Sequence, residues 1–224
     1  MKNIASFLLI ILGMYEILMW TSDPFKVHQT LNNNKQIAKE EIYISCLLNG
    51  MPFIFLGHAL KKNKSSLTAI LFPILIIFTC MQIFFWWAPY FLGEISGSIN
   101  MINEHKKQLA DLPRILYPIK DHLVPDIEHT LLFPLSLLTL WTTIVSFKKE
   151  FQFQKSDLIK SKIFGGLLIA LTFVGEITQI YKSNFEKKYQ NGLLIAQICM
   201  ITVFTIFLQT AKIQKEQNKK IKKN

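Results

Sequence analysis

The 224-residue chain is half hydrophobic, carries only 18% charged residues and has a mean hydropathy of +0.29. Soluble domains carry roughly 25% charge. Here the charges sit between apolar runs and at the C-terminus, so the composition excludes an ordinary soluble domain and points to an all-α integral membrane protein. The net charge of +10 is not read as a nucleic-acid signal. Lysines flanking membrane spans give the same excess, and no basic face or aromatic–basic module stands outside the apolar runs.

Ile4 to Trp20 is the first apolar run. A signal peptide competes for it, but Glu16 sits inside the run, the leading charge is a single lysine and no small-x-small cleavage site comes after it. A retained helix is the expectation. A polar stretch with Asn32-Asn33-Asn34 leads to the second run, Ile42 to Leu60, which Asn49, Gly50 and Pro52 interrupt. After the basic turn Lys61-Lys62-Asn63-Lys64, the third run extends from Leu67 to Tyr90 and ends in the aromatic girdle Phe84-Phe85-Trp86-Trp87-Ala88-Pro89-Tyr90-Phe91. Tryptophan and tyrosine favour the membrane–water boundary, and Pro89 is expected to stop or bend the helix there. Gly93 to Glu128 is the longest polar segment. Within it Ile99 to Leu112 has helical periodicity, and Pro113, Pro118 and Pro125 break up the remainder.

His129 to Phe147, Ile163 to Tyr181 and Gly192 to Ala211 complete the set. Each run has about 17 to 24 residues, enough for a hydrocarbon core of about 30 Å. The reading is a helix bundle of about six spans, approximately 4–20, 42–60, 67–90, 129–147, 163–181 and 192–211, with five if the first or fifth is interfacial. The loop 93–128 forms an amphipathic cap on the outer side, and a basic tail covers 212–224. With the N-terminus inside, 15 of the 25 Lys and Arg fall on the inner side and 10 on the outer, which places both termini in the cytoplasm of a multi-pass cell-membrane protein. Gly166/Ala170 and Gly192/Ala196 give the last two runs a small-xxx-small face each, expected to pack closely.

Charges inside spans are expensive and raise a functional hypothesis. Glu16 and Glu176 lie near the outer ends of their runs, and Asn49, Trp86, Trp87 and His129 fall at similar depth. Together they form the candidate ligand pocket, suited to a cation, a proton or a lipid headgroup. The bland alternative is that both glutamates snorkel or bond neighbouring helices. A weaker constellation is His122, Asp126 and His129, which a continuous helix would place on one face with donors suited to Zn²⁺ or acid–base work. Pro125 interrupts that stretch, and Asp126 and Glu128 also suit the positive end of the next helix. Cys46, Cys80 and Cys199 read as buried apolar residues, since none forms a CxxC pair. No phosphate-binding or nucleophile-elbow motif occurs, so no cofactor is expected.

The girdle from Trp86 to Phe91, the long loop after it and the Pro125-Asp126-x-x-His129 opening of the next run resemble small multi-pass proteins of bacterial membranes. This resemblance covers about residues 84–135 and implies neither an activity nor a site residue. The functional expectation is a multi-pass protein that binds or transports a small polar or lipid-like ligand at an outer-leaflet pocket. The alternatives are an enzyme at the outer interface using His122, Asp126 and His129, and an accessory or immunity-type protein whose partner is another membrane protein. The lipid bilayer is the expected partner in every case.

Overall fold

The computed structural model describes residues 1–27, 38–93 and 112–183, with 201, 202, 204, 205, 208 and 209. All regular structure among them is helical. We number the long helices α1 (Lys2–Ser22), α2 (Lys39–Lys61), α3 (Ser65–Leu92), α4 (Ile127–Lys149) and α5 (Lys155–Ser183). The first four are long and apolar enough to cross a membrane, and each contains one of the first four expected runs. The expected fifth run lies in α5, but side chains from 171 onward, and most of the sixth run, lie outside the described residues. The same holds for residues 94–111 of the expected cap.

Two helices run through prolines that the sequence reading expects to interrupt, stop or bend them. In α2 the turn Cys46–Gly50 is a π-helix, and Pro52 comes two residues later; in α3 the π-turn is Ile83–Trp87, and Pro89 comes at the same interval. Proline lacks a donor and its ring crowds the carbonyl one turn earlier. A widened turn just before it relieves that crowding, so the helix axis shifts and continues. The girdle therefore remains helical as far as Leu92, and α3 stops at Gly93, where φ is +61°.

α1 packs on α2 and α4, and α3 on α2 and α4, closing a four-helix ring; α5 docks on the outside of α3. The α1–α2 seam is built on small residues. A Cβ on Gly13 would sit 2.6 Å from the Gly50 carbonyl oxygen, and one on Gly57 would sit 2.8 Å from the Ser6 carbonyl oxygen. The Ser6 hydroxyl also donates to the Gly57 carbonyl at 2.7 Å. Ser6 and Gly13 on α1 thus meet Gly57 and Gly50 on antiparallel α2, each pair seven residues apart, and the backbones touch. The expected Gly192/Ala196 face lies outside the described residues; among those described, nothing lies within 4 Å of a Cβ at Gly166, while Gly165 packs against the Phe204 ring.

The bundle is apolar on its exterior as well as in its core, where α4 adds a polar stripe. Phe7, Leu18, Leu47, Trp141 and Leu167 are exposed on helix exteriors, whereas Ser136, Thr139 and Thr143 of α4 are fully buried. These hydroxyls donate to carbonyls of their own helix, for example Thr139 to Leu135 at 2.6 Å and Thr143 to Thr139 at 2.7 Å. An apolar exterior around a self-satisfied polar stripe suits lipid as the surrounding solvent.

One end of the ring gathers the lysine-rich connections. The turn after α2 is closed by bonds from the Lys64 amide to the Ala59 carbonyl and from Asn63 to Leu60, with Asn63 left-handed at φ 55°, a C-terminal stop of the Schellman type. Lys2 Nζ reaches Asn63 Oδ1 at 2.9 Å and its amide donates to Glu150 Oε2 at 3.1 Å, tying α1 to both connections. Asp157 accepts from the Gln154 amide at 3.1 Å and from Ser66 Oγ at 2.5 Å, capping α5 and fastening it to the start of α3. Burial disfavours its charge, but the Ser65, Ser66 and Gln154 hydrogen bonds outweigh that and hold the carboxyl below its ordinary value. Asp157→Asn should lower stability by about 1–3 kcal/mol, seen as a reduced melting temperature of the detergent-solubilised chain, while Lys155→Asn should leave it nearly unchanged.

Candidate functional site

The opposite end of the ring holds most of the candidate residues. Asp126 is the N-cap of α4: its Oδ1 accepts from the His129 amide at 2.9 Å, satisfying a donor of the first helical turn. The same carboxylate takes the His129 ring, with Nδ1 2.8 Å from Oδ2, so Nδ1 carries the proton in this contact. The other face of that imidazole is fixed by Trp86, stacked at a centroid separation of 3.7 Å and an interplanar angle of 24°. Burial opposes the Asp126 charge, yet the hydrogen bonds and positive charge offered by His129, together with the Glu128 amide, prevail and hold the carboxyl below its ordinary value.

Glu16, on α1, is 4% exposed, and its Oε1 has no hydrogen-bond partner. Its neighbour Tyr15 donates from its hydroxyl to the Glu128 carbonyl at 3.0 Å, pinning α1 to the first turn of α4. Glu128 is itself buried, and Glu16, Asp23 and Asp126 lie within electrostatic reach of it. Cys46, in the π-turn of α2, approaches the Ile17 carbonyl and lies within reach of the Glu16 charge. Acidic side chains of α1 and the start of α4 therefore converge beneath the π-turns of α2 and α3.

Residues 112–126 run over this end without regular structure, as Pro113, Pro118 and Pro125 require. Leu112 and Leu123 pack with Val27 and Trp86, Tyr90 donates to the Tyr117 carbonyl at 3.0 Å, and His122 Nδ1 lies 2.8 Å from the Tyr90 carbonyl. Gly93 leaves room for the His122 ring, since a Cβ there would approach Nε2 to 2.5 Å. The helix begins only at Ile127, so His122, Asp126 and His129 do not share a helix face. His122 is held by the end of α3, and the Asp126 oxygens are used by His129. Among the described residues no three His, Cys, Asp or Glu side chains are placed to hold a metal ion.

Of the expected pocket residues, Glu16, Trp86 and His129 meet at this end. Trp87 stacks on Phe133 at 4.4 Å, with its Nε1 buried and unpartnered. Asn49 instead lines a separate cavity between α2 and α3, and the side chain of Glu176 lies outside the described residues. Sequence reasoning missed Tyr15 and Gln82 and read Glu128 only as a helix-start charge. Tyr15 adjoins Glu16 and Gln82 lies one turn before Trp86, a proximity that was available as a signal. No protein-family model, curated protein or solved structure matches this chain.

Proposed function

We propose that the chain is a multi-pass protein of the cell membrane that binds a positively charged amino group at the Glu16 end of the ring. The orientation is the one that keeps the lysine-rich end in the cytoplasm, with residues 112–126 as part of an outer cap. The supporting observation is the Glu16 carboxyl, almost wholly buried with Oε1 unpartnered. A carboxylate in that position is costly unless a cation or a proton completes it. Glu128 and Asp126 lie within electrostatic reach of one another and of this end of α1 and add negative potential, which favours a cationic ligand.

The amino group can belong to a free amine or to an aminolipid headgroup. Tryptophan fluorescence of the full chain in phosphatidylcholine nanodiscs, titrated with ethanolamine, tests the first source, and titration with added phosphatidylethanolamine tests the second. Glu16→Gln is expected to weaken whichever ligand binds by about tenfold or more, the worth of a charge-assisted hydrogen bond. Titrations that are unchanged in Glu16→Gln would refute the reading. The Asp126–His129 pair favours a second reading, acid–base chemistry at the interface, because a carboxylate orienting an imidazole is the usual arrangement of a general base. Loss of function in His129→Ala with Glu16→Gln silent would decide for it.

A further inference from the structure

A cavity of about 460 Å³ opens between α2, α3 and α5, lined among others by Asn49, Phe53, Ile77, Met81, Gln82 and Leu168. The volume falls within the roughly 300–1,000 Å³ of small-molecule sites. Ile77 and Met81 are half-buried, whereas Phe53 is buried in the core; the cavity thus reaches from the bundle surface, beside Leu168 of α5, inward to Phe53. All four helices of the ring are long and apolar enough to span the bilayer, so the molecules that reach such an opening are those dissolved in the membrane. Among the described residues its lining has no charged side chain, and its polar groups are two carboxamides, Asn49 and Gln82. Gln82 Oε1 is buried without a hydrogen-bond partner. A buried amide oxygen in that state calls for a donor.

We infer that this cavity is a binding site for an uncharged, single-chain lipid-like molecule, its chain lying along Ile77 and Met81 and its hydroxyl or amide head bonded to Asn49 and Gln82. None of the described lining residues is a cation or carboxylate, and an ionised headgroup among them would lose its solvation without compensation. The two amides both donate and accept, so an alcohol matches them better than a plain hydrocarbon. The inference stands apart from the Glu16 site: neither Glu16, Trp86 nor His129 lines the cavity.

The test uses a diazirine-bearing sixteen-carbon alcohol on the full chain in detergent, with mass spectrometry of the labelled peptides. Labelling should concentrate on the peptides carrying Met81 and Phe53 and be competed by unlabelled hexadecanol but not by hexadecane. Ile77→Trp, which fills the space, should abolish the competed labelling. Gln82→Leu, which keeps the apolar shape, should weaken competition about tenfold. Melting temperatures near wild type establish that both variants are folded. Labelling spread evenly over the lipid-facing helices, including the Trp141 face, or competition unchanged in folded Gln82→Leu and Ile77→Trp, would overturn the inference.

Discussion

Gly13→Leu should be the most damaging single substitution on the α1–α2 seam, lowering stability by about 3 kcal/mol. The added Cβ alone would stand 2.6 Å from the Gly50 carbonyl oxygen and 2.7 Å from Ile54 Cγ1. The first neighbour is backbone, so relief requires moving a helix and not a rotamer. Separation of α1 from α2 would also break the Ser6–Gly57 hydrogen bond and displace Glu16, one turn further along α1. The control is Gly166→Leu, where no described residue lies within 4 Å of the Cβ, with an expected change within about 0.5 kcal/mol. Thermal unfolding monitored by size-exclusion chromatography compares the two; equal losses would contradict the seam.

Asp126→Ala should cost about 2–4 kcal/mol, combining the loss of an N-cap with the loss of a charge-assisted partner for His129. The same residue makes stability acid-sensitive with a definite sign. Its folded carboxyl is held below the ordinary value, so its contribution is complete above the unfolded value near ~4 and disappears as the pH falls through the lower folded value. Wild type should therefore lose stability on acidification below about pH 4, and Asp126→Asn should start lower and show a flatter acid limb. Melting temperatures at stepped pH read both effects, and parallel acid limbs would contradict the Asp126–His129 pairing.

Sequence periodicity located the first four helices because continuous apolar length is a strong signal. It placed the end of α3 at the girdle, where the helix stops at Leu92, but did not show the π-turns within α2 and α3. Pro52 and Pro89 sit inside helices because π-turns precede them, and a π-turn rests on packing such as Trp86 on His129 and Trp87 on Phe133, which one chain segment does not reveal. Charge placement within runs singled out Glu16, since a carboxylate there stands out against its apolar surroundings. It could not show that Asn49 turns toward a different cavity, because the π-turn at Cys46–Gly50 resets the faces of α2. Nor could it place His122 against Tyr90 and Gly93, a contact across 32 residues. Small residues were legible as packing devices, but the pairing of Ser6 with Gly57 and Gly13 with Gly50 needed the antiparallel register of two helices.

Glu16 is the centre of the proposed amine site, and hydrophobic carbodiimides, which react with protonated carboxyls inside membranes, address it directly. The full chain in phosphatidylcholine nanodiscs is treated with dicyclohexylcarbodiimide with and without trimethylamine, a tertiary amine that carries the ammonium charge but cannot form an amide with the activated carboxyl, and each carboxyl is quantified by peptide mass spectrometry. Modification concentrated at Glu16 and suppressed by trimethylamine is the predicted result. Glu16 left unmodified, or modified equally with and without the amine, would contradict the site.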